Sequence, residues 1–228
     1  MRKRRYASWR ESFAVLVDAK VCGLTRPEDA ALAVASGAAY LGVIFAGGPR
    51  QVDSDRARTI VAAADGVPVL GVFGMQPTRT ILEVIRSAGL AGAQLHGDHG
   101  PDVSKQLVDA GMVIWHVARF NDTSTLRIEI GRIGVGFEPI LIEPRSSGGG
   151  GQGIVLPLDL AVAAREAFHQ RRLVLAGGLH PGNVAEAIRL VGPDIVDVSS
   201  GVELAPGIKD PIRLVAFLEA VRDARSAA

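Results

Sequence analysis

The sequence predicts a single (β/α)8 barrel of the TIM type over residues 17–228, preceded by a basic extension over residues 1–16. Three observations predict this fold: short apolar runs recur along the chain, helical patterns stand between them, and the spacing is regular. The runs recur about every 25 residues, which leaves room for one helix and two short loops and indicates parallel strands. The eight runs are VDAKVC, AYLGVIF, VPVLGVF, AGAQLH, MVIWHV, EPILIE, RLVLAGG and DIVDVSS.

The segments between the runs carry the start and stop signals of helices. PEDAALAVASG (27–37) and PTRTILEVIRSAG (77–89) each begin with proline and end with glycine. A closed barrel is favoured over an open doubly wound sheet because closure leaves no strand edge exposed. The turn after the first run, CGLTRP, also lacks the GxGxxG pattern of a dinucleotide fold.

The composition is typical of a compact cytoplasmic enzyme. Hydrophobic residues make up 48% of the 228 and charged residues 21%, which argues against disorder, and a single cysteine excludes an internal disulfide. The apolar stretch FAVLV is too short for a signal-peptide core, and nothing approaches a membrane span. Five of the 25 Lys and Arg residues stand in the first ten positions, and the rest of the chain carries 20 bases against 24 acids. We therefore expect no nucleic-acid or membrane partner.

Cys22 is expected at the mouth of the barrel. Because side chains alternate along a strand, Asp18, Lys20 and Cys22 share one face of the first strand, the face that should point into the barrel. A buried lysine needs a partner, and the last strand offers Asp197, so we predict an ion pair between Lys20 and Asp197. The ammonium group of Lys20 should favour the thiolate form of Cys22 and lower the pKa of that thiol toward neutrality. The alternative is that Cys22 is a buried apolar filler.

The loops after the seventh and eighth runs predict a phosphate site. They read AGGLHPGNV and SSGVELAPG, and in many barrels these two loops hold a phosphate with backbone N–H groups. Glycines let the backbone approach an anion, and a helix N-terminus adds partial positive charge. The alternative is that the glycines only form tight turns. The predicted phosphate-binding residues are Gly177, Gly178, Ser199, Ser200 and Gly201.

Six segments, taken in order, resemble the phosphoribosylanthranilate isomerase family of tryptophan biosynthesis. They are KVCGLTRPEDA, LGVIFAGGPRQV, VPVLGVF, AGAQLHGD, LAGGLHPGNVAEAI and VDVSSGVELAPGIKD. The resemblance implies an Amadori rearrangement of N-(5-phosphoribosyl)anthranilate to 1-(2-carboxyphenylamino)-1-deoxyribulose 5-phosphate by general acid–base catalysis. It implies a small-molecule phosphosugar substrate and neither a metal nor an organic cofactor. We expect a monomer or a homodimer.

The resemblance also implies roles for four residues at the barrel mouth. Cys22 would be the general base that removes the C2′ proton, and Arg50 of GGPRQV would hold the anthranilate carboxylate through its guanidinium fork. Gln94 and His96 share one face of the fourth strand, and the QLHG pattern places them as structural or ligand-lining residues. No second histidine or carboxylate repeats at ligand spacing, so His96 is not expected to bind a metal.

Glu143 departs from the family pattern. The family's general acid is an aspartate at the end of the sixth strand, whereas this segment reads LIEPRSSGGGGQG and Glu143 takes that position. Its extra methylene moves the carboxyl by about 1 Å if the backbone stays fixed, and such a displacement can cost about a hundredfold in rate. The alternative is that Glu143 only forms a salt bridge, for example with Arg145. The four glycines at 148–151 would form a mobile lid or a flexible linker.

Two other functions compete with this one. Another phosphosugar barrel would need either a lysine acid, as in indole-glycerol-phosphate synthase, or a carboxylate where Cys22 stands, as in the dual-substrate isomerases of the histidine pathway. A phospholigand sensor that has lost catalysis through Glu143 would need neither Cys22 nor Arg50, since phosphate binding alone requires neither.

Overall fold

The structure is a computed structural model that describes residues 17–134, 136–146 and 153–226. The basic extension predicted over residues 1–16 and the glycine run at 148–151 lie outside the described residues. The proposals about an extension and a lid therefore stay predictions.

Eight parallel strands form a closed barrel, in which each strand pairs with the next and β8 pairs with β1. The predicted fold class is confirmed, and each of the eight apolar runs overlaps one strand. The strands are β1 (Asp18–Val21), β2 (Tyr40–Ile44), β3 (Val69–Phe73), β4 (Gly92–Leu95), β5 (Val113–Arg119), β6 (Ile140–Glu143), β7 (Leu173–Leu175) and β8 (Ile195–Val198).

In the part of the chain that the structure describes, eight α-helices follow the strands around the outside of the barrel. Two predicted boundaries are confirmed: Pro27 is the first residue of α1, and Gly89 caps α3 in the left-handed region with φ of 71°. The other two differ slightly, because α1 ends at Ala35 before Gly37 and α3 begins at Thr78 with Pro77 as its N-cap. The helices are α1 (Pro27–Ala35), α2 (Ser54–Ala63), α3 (Thr78–Ala88), α4 (Pro101–Asp109), α5 (Thr123–Ile133), α6 (Leu158–Ala167), α7 (Val184–Val191) and α8 (Pro211–Ser226).

The segment between β8 and α8 has structure of its own. A single 3₁₀ turn (Ser200–Val202) leads into a short antiparallel hairpin of β9 (Glu203–Ala205) and β10 (Ile208–Lys209). The sequence indicated only a glycine-containing loop here. The hairpin matters for the site because it places two charged side chains beneath the barrel mouth.

Strand alternation divides the buried residues into two cores. Outward-facing strand residues such as Val43 pack against helix residues such as Ile60 and Ile81 in the larger core. Inward-facing residues fill the lower part of the barrel with a smaller apolar core: Leu70, Trp115, Val117, Leu141, Val174, Ala176 and Ile195. The same inward faces carry polar residues one step further along the strands, so the upper barrel holds the candidate site.

None of the helices within the described residues is long and apolar enough to cross a membrane.

Candidate active site

The predicted ion pair between Lys20 and Asp197 is present. The two residues are partners in the register of β1 and β8, and the Nζ of Lys20 lies 2.9 Å from Oδ1 of Asp197. Lys20 is fully buried. Burial lowers the pKa of Lys20, but the carboxylate of Asp197 and the nearby Cys22 outweigh it, so the pKa lies above its ordinary value. Lys20 is therefore a permanent cation inside the barrel, which confirms the predicted phase of the first strand.

Cys22 follows β1 at the barrel mouth and is 5% exposed. A glycine on the neighbouring strand makes room for it: a Cβ at Gly42 would lie 2.8 Å from Sγ of Cys22 and 3.1 Å from Nζ of Lys20. Burial raises the pKa of the Cys22 thiol and Asp197 adds to that rise, while Lys20 and Lys209 lower it. The expectation that the free site lowers this pKa is wrong, because the loss of water around the thiol exceeds the effect of the cations.

Glu143 ends β6 with its carboxyl buried at the mouth. Burial first, and then the charge of Asp197, raise the pKa of Glu143 to about 7, against the lowering effects of Arg119 and Lys20. A carboxyl with this pKa can hold and release a proton near neutrality. Arg145 does not hold this carboxyl, because its Nη2 instead lies 2.9 Å from Oε1 of Glu129.

His96 lies beside Glu143. Its Nε2 is 3.2 Å from Oε1 of Glu143. Burial, with contributions from Arg119 and Lys20, lowers the pKa of His96 to about 4, so the imidazole is neutral near pH 7. The contact therefore joins a neutral ring and a titrating carboxyl, and it is a close approach without a hydrogen bond, since Oε1 of Glu143 has no hydrogen-bond partner within the described part of the chain.

Arg50 extends from the loop after β2 toward the same mouth, where the carboxylate of Glu203 holds it. The Nε and Nη2 of Arg50 donate to Glu203 at 2.9 Å and 2.7 Å. Glu203 also accepts a hydrogen bond from the Nζ of Lys209 at 2.9 Å. Sequence reasoning missed Glu203 and Lys209, because a charged residue in a loop usually points to water and nothing in the motif marks these two as buried.

Cys22, Arg50, Gln94, His96 and Glu143 line one cavity of about 240 Å³, together with Asp197 and Ser199. Among the described residues, four buried polar atoms facing this cavity have no hydrogen-bond partner: Oε1 of Gln94, Nδ1 of His96, Oε1 of Glu143 and Oγ of Ser199. Buried polar groups in proteins are normally paired, so unpaired atoms gathered around a cavity indicate a polar ligand or bound water.

All five predicted phosphate-binding residues line a second, smaller cavity. Gly177 and Gly178 adopt φ of 93° and 66°, the left-handed region that favours glycine. The two cavities share Glu143, Asp197 and Ser199 in their walls, so they are contiguous at the mouth. The structure thus brings the predicted catalytic, carboxylate-binding and phosphate-binding residues together at one end of the barrel.

This fold and this site are those of a (β/α)8-barrel enzyme whose polar cavity lies at the carboxyl ends of the strands. The model of the N-(5′-phosphoribosyl)anthranilate isomerase family matches residues 19–220. The N-(5′-phosphoribosyl)anthranilate isomerase of Chlorobaculum parvum is 39% identical over 217 residues, which cover 90% of this chain and 94% of that protein.

Two solved structures agree with the sequence relatives. The crystal structure of phosphoribosyl anthranilate isomerase from Thermotoga maritima has a TM-score of 0.82 at 31% identity, and the match covers 91% of this chain and 99% of that chain. A phosphoribosyl anthranilate isomerase in complex with reduced 1-(o-carboxyphenylamino)-1-deoxyribulose 5-phosphate has a TM-score of 0.78 at 30% identity with the same coverage. The chain belongs to the N-(5′-phosphoribosyl)anthranilate isomerase family, which confirms the resemblance seen in the sequence.

Proposed function

We propose that this chain converts N-(5-phosphoribosyl)anthranilate to 1-(2-carboxyphenylamino)-1-deoxyribulose 5-phosphate, with Cys22 as the general base and Glu143 as the general acid. This is the isomerisation of its family in tryptophan biosynthesis. The observation that carries the proposal is that a buried thiol just after β1 and a carboxyl at the end of β6 with a pKa of about 7 line one cavity. A proton taken from carbon and a proton given to oxygen require two such groups at separate positions.

Glu143 acts first. Its carboxyl gives a proton to the furanose ring oxygen as the C1′–O bond breaks, and the nitrogen lone pair forms the C1′=N bond of a protonated imine. Glu143 is left as a carboxylate. Within the cavity the carboxyl lies against His96, with Oε1 of Glu143 3.2 Å from Nε2 of His96.

Cys22 acts second. Its thiolate removes the proton from C2′, and the electrons of that C–H bond neutralise the imine to give an enaminol. The positive charge of the protonated imine stabilises the thiolate at this stage, which offsets the effect of burial. The enaminol becomes the ketone by losing the proton on O2′ and gaining one at C1′, so no proton is gained or lost overall.

One proton must be shared between the two groups for the reaction to start. Below pH 7 both Cys22 and Glu143 carry a proton, and there is no base. Between about pH 7 and the higher pKa of Cys22 the pair holds one proton, and the productive form has it on Glu143. That form is in the minority in the free protein, since the thiol binds the proton more tightly than the carboxyl does.

The two anionic ends of the substrate fit the two ends of the site. Arg50, oriented by Glu203, faces the cavity that holds the anthranilate carboxylate. The smaller cavity between the glycine loops takes the phosphate. A relative that was solved in complex with reduced 1-(o-carboxyphenylamino)-1-deoxyribulose 5-phosphate supports a ligand that carries both a carboxylate and a phosphate. We place the reaction in the cytoplasm.

Turnover of the substrate tests the proposal. N-(5-phosphoribosyl)anthranilate is generated in situ, and its fluorescence is followed after addition of the purified chain. The proposal predicts loss of fluorescence with formation of the keto product. If fluorescence persists while the reduced product binds, the chain is a non-catalytic phospholigand-binding barrel instead.

A further inference from the structure

The hairpin formed by β9 and β10 buries two charged residues that the proton-transfer mechanism does not use. Lys209 has no exposed surface, and Glu203 is 7% exposed. A lysine in this position loses its hydration, so its charge must be stabilised by the protein. The oxygen atoms around the Nζ of Lys209 provide this stabilisation.

Three oxygens surround the Nζ of Lys209. It donates to the backbone carbonyl of Cys22 at 2.6 Å, to the backbone carbonyl of Ser199 at 3.2 Å and to the Oε1 of Glu203 at 2.9 Å. An ammonium group has three N–H donors, and an uncharged amine has only two. An ammonium group can donate to all three acceptors at once, so the geometry favours the cation. Burial lowers the pKa of Lys209, and the carboxylate of Glu203 and its hydrogen bond oppose that effect.

The charges around Cys22 do not cancel. Lys20 on β1 is paired with Asp197 on β8, and Arg50 is paired with Glu203, which leaves Lys209 as the surplus cation. The other neighbours do not alter this balance: β2 contributes Gly42, β4 contributes Gln94 and the neutral His96, and Glu143 on β6 is the proton-sharing partner. The three cations and two carboxylates of the buried cluster therefore leave one positive charge in excess. One anion balances it: the Cys22 thiolate when Glu143 holds the shared proton, or the Glu143 carboxylate when Cys22 holds it.

Lys209 also joins two parts of the site mechanically. Cys22 follows β1, and Ser199 follows β8 in the loop that lines the phosphate cavity. One ammonium group that bonds both carbonyls fixes the distance between the thiol-bearing backbone and the phosphate loop.

We propose that Lys209 is a positioning residue that supplies the surplus positive charge for the Cys22 thiolate and fixes Cys22 relative to the phosphate-binding loop. The role in catalysis rests on the proposed function, whereas the effect on the thiol does not. Lys209 and Lys20 both lower the pKa of Cys22 against the effect of burial, in agreement with this geometry.

A titration of the thiol tests the inference without substrate. Cys22 is the only cysteine in the chain, so the ultraviolet absorbance of its thiolate, after subtraction of a Cys22→Ser blank, reports this residue alone. Lys209→Met should move the titration to higher pH, while Lys209→Arg, which keeps the charge, should leave it near that of the wild type. Lys105→Met is the matched control, because Lys105 is exposed on α4 and paired with Asp109, and it should change nothing.

A pH profile of kcat/KM extends the test to catalysis. In Lys209→Met the plateau should fall by about tenfold or more, and the high-pH limb should move upward with the thiol titration. If the titration does not move in a folded Lys209→Met variant, the inference is overturned. A loss of activity by the same factor at every pH would also overturn it.

If Lys209→Met does not fold, Glu203→Gln gives the opposite test. Removing that carboxylate increases the surplus positive charge and should move the titration to lower pH. No shift in that variant would also overturn the inference.

The proposed function fails separately from this inference. If the wild-type chain does not turn over the substrate, the proposed reaction is refuted. The thiol titration is measured without substrate, so it still tests the effect of Lys209 on Cys22.

Discussion

At the scale of single residues, Glu143 shows how burial can raise the pKa of a carboxyl into the range in which it exchanges protons near neutral pH. Its pKa of about 7 follows from burial and from Asp197, and neither effect can be inferred from the LIEP segment alone. The sequence identified the position and the chemical group, because a carboxyl at the end of a barrel strand faces the mouth. It did not predict the pKa, which depends on residues that are distant along the chain.

Replacement of Glu143 tests the acid. Glu143→Gln cannot donate a proton and should lower kcat by about a hundredfold to ten-thousandfold. In the wild type, kcat/KM should rise as pH increases through about 7, because below that pH both Cys22 and Glu143 are protonated. The Gln variant should lose this limb. Glu83→Gln, on the exposed side of α3, is the matched control and should behave like the wild type. An unchanged limb near pH 7 in Glu143→Gln would assign that titration to another group.

The same carboxyl should make folding less favourable as pH rises toward neutrality. The pKa of Glu143 is raised from 4.5 to about 7 in the folded protein, so the folded state binds the proton more tightly than the unfolded state does. The free energy of unfolding should therefore fall as pH rises from about 4.5 to about 7, by up to roughly 3 kcal/mol from this group. Denaturant unfolding of wild type and Glu143→Gln should show the variant gaining relative stability over that range. Parallel curves would contradict the raised pKa.

Gly42 is the residue that gives the thiol its space. In Gly42→Ala the new Cβ would lie 2.8 Å from Sγ of Cys22, so the thiol must move and kcat should fall by about a hundredfold. Gly131→Ala is the matched control, because a Cβ at this position in α5 meets no atom within 4 Å. That variant should keep full activity and gain about 0.5–1 kcal/mol of stability. Steady-state rates that are equal in the two variants would show that the position of the thiol does not limit catalysis.

At the scale of secondary-structure elements, strands were easier to predict than the segment after β8. The alternation in VDAKVC was sufficient to predict that Lys20 faces inward and pairs with Asp197. The hairpin of β9 and β10 was not predicted, since two strands of three and two residues give too little periodicity to be recognised. The residues that orient Arg50 and contact Cys22 were missed for that reason.

The hairpin of β9 and β10 fixes the orientation of the Arg50 guanidinium group through Glu203. Arg50→Lys removes the two-point contact with Glu203 and the planar group that can face a carboxylate. We expect KM to rise about tenfold or more, with a smaller change in kcat, because the contact lies away from the reacting carbons. Arg58→Lys, on the exposed surface of α2, is the control for the loss of a guanidinium group. A change confined to kcat would place Arg50 in the chemical step instead.

At the scale of the whole molecule, the closed barrel brings together groups that no local pattern connects. Cys22 directly follows β1, Glu143 ends β6, and the phosphate loops follow β7 and β8, yet all of them line two contiguous cavities. The fold class and the family follow from the sequence because the spacing of strands and the order of motifs are properties of the whole chain. The direction of the pKa shift of Cys22 did not follow, because it results from competition between burial and three charged neighbours, Lys20, Asp197 and Lys209.

The single-turnover rate of Cys22→Ala tests the central claim most directly, since the proposed base is then absent while the rest of the site remains. The substrate is mixed with excess protein, and conversion to the keto product is followed for the variant and the wild type, with binding of the reduced product measured in parallel. We predict that the variant binds the reduced product within about tenfold of the wild type and loses at least about a thousandfold in the rate of conversion. Conversion by Cys22→Ala at a rate close to that of the wild type would contradict the assignment of the thiol as the base.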